Sequence, residues 1–271
     1  MNHDIEKRFV LGAHLTDEQR DFFDCWGFLH FEGFATAAEV EELRGGMRAA
    51  EERLLAGKPT HVNGIPVRYG RDVDGREIVQ RIPFTSLASD AFDRFVRPER
   101  FGAVLELLGN GARLGVREMD GVVTNHWINA DESGYRRLGW HTDGLRDIFL
   151  HRRLPGPMLN VGVYLDDSPR EKGGLRLIPG GHKQGLWSML FGKLYFLDNR
   201  HDPREIALEA KAGDLTIHDG RLWHRVARAE TTGEASRRRI FYVPVVDGPY
   251  EPKDENSPVP IYHRLGWLVG K

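Results

Sequence analysis

His141 and Asp143 stand two positions apart in "GWHTDGL", residues 139–145. In an extended segment such a pair projects from one face, so an imidazole and a carboxylate can converge on a single ion. A third ligand then has to come from a distant part of the chain. His224, in "GDLTIHDGRLWHRV", meets that need, because a strand ends at Asp219-Gly220 and the chain turns back before presenting the imidazole. His218, within the strand and before the turn, is the rival and is read as a supporting histidine. Two histidines and one carboxylate make the facial triad of non-haem Fe(II) oxygenases, which leaves positions open for a co-substrate and O2.

An oxoacid that chelates the ion through its 1-carboxylate and 2-keto oxygen needs a cation for its far carboxylate, and a guanidinium can pair with it in bidentate fashion. "EASRRRIFYV" follows His224 and supplies three candidates. On a strand, Arg237 and Arg239 share one face and Arg238 takes the other.

The elements that would position these groups change character along the chain. Thr16 and Gln19 form a Thr-x-x-Gln capping box that opens a helix ending near Gly27. "FLHF" then reads as a short strand, and "TAAEVEELRGGMRAAEERLLAG" has helical spacing through Val40, Leu43, Met47 and Leu54, with Gly45-Gly46 weakening its middle. A further helix is expected in "PERFGAVLELLGNG". Short runs punctuated by glycine and proline follow. "MLNVGVYLDD" alternates Leu159, Val161, Val163 and Leu165 on one face with Asn160, Gly162 and Tyr164 on the other, and "LRLIP", "GDLTIHDG" and "RRRIFYVPVV" have a similar texture. The pattern predicts a mainly β fold, an antiparallel sandwich or barrel, with N-terminal helices packed outside it.

A single domain spanning residues 1–271 is expected, with a helical part over 1–60 and the β core at about 115–247. The formal net charge is −2, which gives no global field for a polyanion, so nucleic acid is not an expected partner. One cysteine, Cys25, excludes an intrachain disulfide and multi-cysteine metal sites, and fits a reducing cytoplasm. No leader or membrane-spanning run is evident in the sequence.

The order "DEQRDFFDCWGFLHFEGFATAAEVEELR", "WHTDG", "MLNVGVYLDD", "GGLRLIPGGHKQG", "GDLTIHDGRLWHRV", "RRRIFYV" resembles the phytanoyl-CoA dioxygenase-like family of Fe(II)/2-oxoglutarate oxygenases over residues 15 to 247. "GGLRLIPGGH" looks like that family's Gly-x-Leu-x-x-x-Pro-Gly-Ser-His segment, with Gly181 in place of serine. The resemblance implies a double-stranded β-helix, a cupin-like jelly roll, that holds Fe(II) near its open end. It places His141, Asp143 and His224 at the ligand positions. Arg237 matches the arginine of the strand after the distal histidine, with Arg239 as the alternative, and Asn125 in "VVTNHWIN" matches a co-substrate contact. The small pair that often follows the distal histidine is replaced here by "HRVARAE".

The reading is therefore an Fe(II)- and 2-oxoglutarate-dependent dioxygenase that hydroxylates a small polar or anionic metabolite, with release of succinate and CO2. Asp143 disfavours halogenation, since related halogenases leave that ligand position to halide. A non-catalytic jelly-roll binding protein would break the triad, and a cupin-type hydrolase or isomerase would need no arginine reserved for a co-substrate. Trp140 is expected to pack beside the ion. Arg136, Arg137, Arg146, Arg152 and Arg153, on the two segments that flank the ligands, would bring positive charge to the entrance, and "GLWSMLFGKLYFLDNRHD" would supply an apolar wall or a subunit contact.

Overall fold

The computed structural model describes residues 4–143 and 157–260. Helix α1 (Asp17–Trp26) begins at the Thr16–Gln19 capping box and ends at Gly27, which adopts φ +78°. A side chain at Gly27 would also strike the His182 ring, so the turn and the close packing demand the same residue. Helix α2 (Ala37–Gly57) is opened by a second capping box, Thr36 with Glu39. It runs unbroken through Gly45-Gly46, because a Cβ at Gly46 would collide with Ser89 and Ala91; the glycine lets α2 approach the segment that carries α3 (Thr85–Ala88) and α4 (Asp90–Phe95). The helix expected in "PERFGAVLELLGNG" shortens to α5 (Gly102–Leu105). Arg100 is held instead by Glu39 and lies 3.9 Å from the centroid of the Phe95 ring, contacts that fix the chain before it can start a longer helix.

The strands are β1 (Phe28–Phe31), the hairpin β2 (His61–Val62) and β3 (Ile65–Pro66), β4 (Arg68–Arg71), β5 (Glu77–Ile82), β6 (Arg113–Leu114), β7 (Val123–Asn129), β8 (Leu138–His141), β9 (Met158–Tyr164), β10 (Gly174–Leu177), β11 (Ile206–Ala207), β12 (Leu215–Asp219), β13 (His224–Ala227) and β14 (Gly233–Val246). The larger sheet has the order β1-β12-β9-β14-β7-β5-β4, with β6 paired to β14, and the smaller has the order β11-β10-β13-β8. From β7 to β14 the chain passes repeatedly between the two sheets, and every neighbouring pair is antiparallel. This is a double-stranded β-helix, the jelly roll that the family resemblance implied.

The main apolar core lies between the larger sheet and the N-terminal helices, outside the barrel formed by the two sheets. Leu159, Val161 and Val163 of β9, Leu215 and Ile217 of β12, and Phe241, Val243 and Val245 of β14 join Phe22, Leu43 and Phe92 in one cluster. Phe241 meets Phe92 and Phe95 edge to face at ring separations of 5.2 and 5.8 Å. The opposite face of the same strands carries Asn160, Gly162, Tyr164, Thr216, His218, Arg238 and Tyr242. Both faces are buried, and only one is apolar. Among the described residues no helix is long and apolar enough to cross a membrane.

Phe241→Ala should lower unfolding stability by about 3–5 kcal/mol, the usual loss for a fully buried phenylalanine. A urea titration followed by circular dichroism measures it; a loss below about 1 kcal/mol would mean that the helices do not depend on this contact.

Candidate metal centre

Pairing between β8 and β13 places His141 directly opposite His224, with ring centroids 4.1 Å apart. Asp143 lies two residues beyond His141, where its backbone N–H donates to the Gly220 carbonyl and ties it to the turn after β12. The ligand atoms of His141, Asp143 and His224 all lie within 4.8 Å of one another, and all three residues are buried. The hydrogen bonds fix which ring nitrogen is free. His141 Nδ1 donates to the Gly139 carbonyl at 2.8 Å and His224 Nδ1 to the Leu222 carbonyl at 3.0 Å. A carbonyl can only accept, so both protons sit on Nδ1 and both Nε2 lone pairs face the gap, the orientation a metal ligand needs. Asn160 Nδ2 donates to Asp143 Oδ2 at 3.1 Å and orients the carboxylate.

His218 projects from β12 into the same space. Its Nε2 is 4.0 Å from Asp143 Oδ2, and its ring centroid lies 4.5 Å from that of His224. Neither ring nitrogen has a hydrogen-bond partner, and burial holds its pKa well below the ordinary histidine value. A neutral imidazole with no satisfied nitrogen is a costly arrangement in an empty protein interior and a natural one beside a bound polar molecule.

The three consecutive arginines have three different surroundings. Arg237 is paired with Asp72 at 2.7 Å and with Glu234, and also donates to His126 Nε2. Arg239 makes a bidentate pair with Asp166, at 2.7 and 2.8 Å, and Asp166 also accepts from Arg44 of α2. Both belong to the face of β14 that carries Phe241 and Val243. The expectation that Arg237 or Arg239 reaches toward the ion is therefore corrected: each is on the far side of the sheet and already neutralised by carboxylates.

Arg238 is the arginine inside the barrel. It is 5% exposed, lies over the Trp127 ring, and donates only to backbone carbonyls, those of Lys172 and Ala227, at 2.8 and 3.1 Å. Among the described residues no carboxylate pairs with it, and burial pulls its pKa down to about 10. Its guanidinium meets β13 at Ala227, three residues beyond His224, a span of about 10 Å along the strand.

A cavity of about 750 Å³ opens beside the triad. Asn125, Trp127, Tyr135, Phe196, His218 and Tyr242 line it, together with the three ligands. A narrow cleft that shares Leu175, Val226 and Tyr242 with the cavity runs on to Tyr164 and Arg238. The Tyr164 and Thr216 hydroxyls influence one another but make no hydrogen bond of normal geometry. Asn125 is part of the cavity lining. Trp140 instead packs away from it with Ile178 and Trp223, its indole N–H donating to the Arg200 carbonyl. The wall expected from the 185–202 segment is contributed by Phe196, whose ring stacks on His141 at 4.8 Å. Gly139 permits this, since a side chain there would meet the Phe196 backbone. Arg136 and Arg137 lie at the cavity, whereas Arg146, Arg152 and Arg153 fall outside the described residues.

Residue-type logic named the three residues that the structure gathers and did not single out Arg238 as the inward-facing arginine. The available signal was the other half of the alternation, because Arg238 shares its face with Ile240 and Tyr242 and so continues the mixed face of β9 rather than the apolar one.

The phytanoyl-CoA dioxygenase (PhyH) family model matches residues 23–239. A curated relative, described as a probable alpha-ketoglutarate-dependent hypophosphite dioxygenase of Stutzerimonas stutzeri, is 23% identical over 240 residues, covering 84% of this chain and 77% of the relative. Among solved structures, the epimerase SnoN in complex with Fe3+, alpha ketoglutarate and nogalamycin RO superposes with a TM-score of 0.64 at 21% identity, covering 89% of this chain and 86% of SnoN. The carbocyclase SnoK from nogalamycin biosynthesis gives 0.64 at 19% identity, covering 97% and 95%. These structural likenesses extend the agreement in fold.

Removal of any one of His141, Asp143 and His224 as alanine should weaken Co(II) binding by more than the roughly 10–100-fold typical of losing an outer partner, and Asn160→Ala should fall within that range. The visible absorption of Co(II) measures it. His218→Ala should retain tight binding; loss there with retention in His224→Ala would transfer the third ligand to His218.

Proposed function

The chain belongs to the phytanoyl-CoA dioxygenase family, and from that premise we propose that it is an Fe(II)- and 2-oxoglutarate-dependent oxygenase that hydroxylates a small polar or anionic molecule. His141, Asp143 and His224 would hold the iron, and Arg238 would hold the far carboxylate of 2-oxoglutarate. When bound, the metal and co-substrate supply oxidising power from O2, with 2-oxoglutarate converted to succinate and CO2.

The observation that carries this reading is the pair of buried polar groups that lack a matching partner, one at the triad and one in the cleft beyond it. His218 has no hydrogen bond at either ring nitrogen, and Arg238 offers a guanidinium with no carboxylate among the described residues. Such groups are rare in a protein interior, and a slender dicarboxylate that reaches from the ion would accept from a ring N–H of His218 and pair with the guanidinium. The separation of Arg238 from the triad, about 10 Å along β13, is comparable with the length of 2-oxoglutarate plus its coordination to an ion.

The chain's own part is positional. Backbone carbonyls hold the histidine tautomers, Asn160 orients the carboxylate, and Phe196 packs against His141 to limit access by solvent. The cavity leaves space on the side away from Arg238 for a second molecule to meet the ion. Epimerisation and ring closure, the activities named for SnoN and SnoK, use a fold of this kind, and the oxygen content of the product distinguishes hydroxylation from them.

Anaerobic addition of Fe(II) and 2-oxoglutarate should produce the visible charge-transfer band of a chelated oxoacid. Arg238→Met should weaken 2-oxoglutarate binding by about 10–100-fold, the loss expected for a buried charge-assisted pair, while Arg237→Met and Arg239→Met should change it little. A larger effect from Arg237 or Arg239 would return the role to that residue. Product formed under 18O2 should carry one labelled oxygen; a product without it would point to another outcome of the same oxidation.

A further inference from the structure

The cavity beside the triad is unbalanced in charge. Its described lining holds five arginines, Arg68, Arg81, Arg136, Arg137 and Arg228, against two carboxylates, and one of those is the ligand Asp143. The other, Asp120, is taken by Arg81 at 2.6 Å. Arg136 donates to the Ser133 and Asp131 carbonyls, and Arg228 to the Asn129 side chain at 2.8 Å. The side chains of Arg68 and Arg137 have no hydrogen bond or ion pair among the described residues, and Arg68 is half-buried on β4 opposite Arg81.

Arg68 is the decisive member. A solvated surface arginine needs no partner, but one drawn partly out of water beside a second guanidinium is placed against its own electrostatics. Burial lowers its pKa; Tyr135 opposes that shift and Arg81 adds to it. The adjacent walls, Tyr69, Tyr135, Trp127 and Phe196, are aromatic. The cavity, at about 750 Å³, lies in the range of sites for drug-sized molecules and far exceeds the space taken by an inorganic oxyanion.

We propose that Arg68, assisted by Arg137, is the specificity-determining anion site of this cavity, and that the substrate is an organic molecule with an aromatic or apolar body and a carboxylate, phosphate or sulfonate-type head. The head pairs with Arg68 at the mouth and the body extends along Tyr135 and Trp127 to bring a carbon to the triad. This rests on the reading of the cavity as the oxygenase active site. It goes beyond that reading in assigning the feature by which the substrate is selected, at a position separate from Arg238.

Two matched fluorescent probes test it on the protein loaded with Mn(II), with and without 2-oxoglutarate: 1-anilinonaphthalene-8-sulfonate and its neutral counterpart N-phenyl-1-naphthylamine. Wild type should bind the sulfonate at one site at least about tenfold more tightly than the neutral dye, and Arg68→Met should abolish that preference while leaving the neutral dye unaffected. Arg68→Lys keeps a positive charge on the same strand and should restore much of the preference, which separates loss of charge from loss of fold. Equal affinity for the two dyes, or a change below about threefold in Arg68→Met, the level of a solvated surface pair, would overturn the proposal. A parallel titration with 2-oxoglutarate should give the same affinity in wild type and Arg68→Met. A matching loss there would assign Arg68 to the co-substrate and overturn the proposal as well. Failure of wild type to bind 2-oxoglutarate would sink the oxygenase reading, with the dye comparison still deciding whether Arg68 selects an anion.

Discussion

The strand alternation of the larger sheet is the constraint on which the rest of this structure depends. Residues of β9, β12 and β14 that point one way pack on α1, α2 and α4 and form the apolar core; their neighbours point into the barrel and line the cavity. A slip of one residue would exchange the two sets, sending Phe241 into the cavity and Tyr242 into the core. The charged contacts pin this register. Asp166 grips both the side chain and the backbone N–H of Arg239, and Arg44 of α2 closes on the same carboxylate. Asp72 and Glu234 hold the side chain of Arg237. The outer arginines thus hold the strand so that the middle one faces inward.

This division explains how the fold tolerates a polar interior. The helices supply enough apolar packing on the outer face that the inner face need not be a core. Groups that would be defects elsewhere, the unsatisfied His218, Thr216 and Tyr164 and the carboxylate-free Arg238, collect on the inner face of the barrel. Rules for stable sequences are broken here locally and satisfied around it, the pattern expected where binding opposes stability.

Electrostatics then divides the barrel into regions. Near the triad, two imidazoles and one carboxylate suit a divalent cation. Arg238, in the cleft that continues the cavity, is a buried cation with no carboxylate partner among the described residues. Arg68 and Arg137 add further positive charge to the lining of the cavity. None of this is visible in a formal net charge of −2, because the carboxylates that balance the total lie mainly elsewhere on the protein.

The local signals in the sequence carried far. The capping box at Thr16 set the start of α1, the alternation in "MLNVGVYLDD" described β9 and its two faces correctly, and the spacing of His141 and Asp143 is a short-range geometric fact that any extended segment would realise. The pairing of those two with His224 depended on the order of motifs, and the structure brings all three together. Arg238 was beyond reach for a definite reason. Alternation separates Arg238 from Arg237 and Arg239, but when both faces of a strand are buried the sequence does not say which faces the ion; only the register of β14 against β9 and β7, with the carboxylates brought in from Asp72 and Asp166, decides that. Arg68 is more remote still, since β4 reaches the cavity through β5, and its lack of a carboxylate partner is a property of the assembled wall. What one strand does by itself was determined by the sequence, through periodicity and caps; which charges meet, and which are left for a ligand, was decided by tertiary structure, because charge compensation depends on groups that are neighbours only after the sheets have closed.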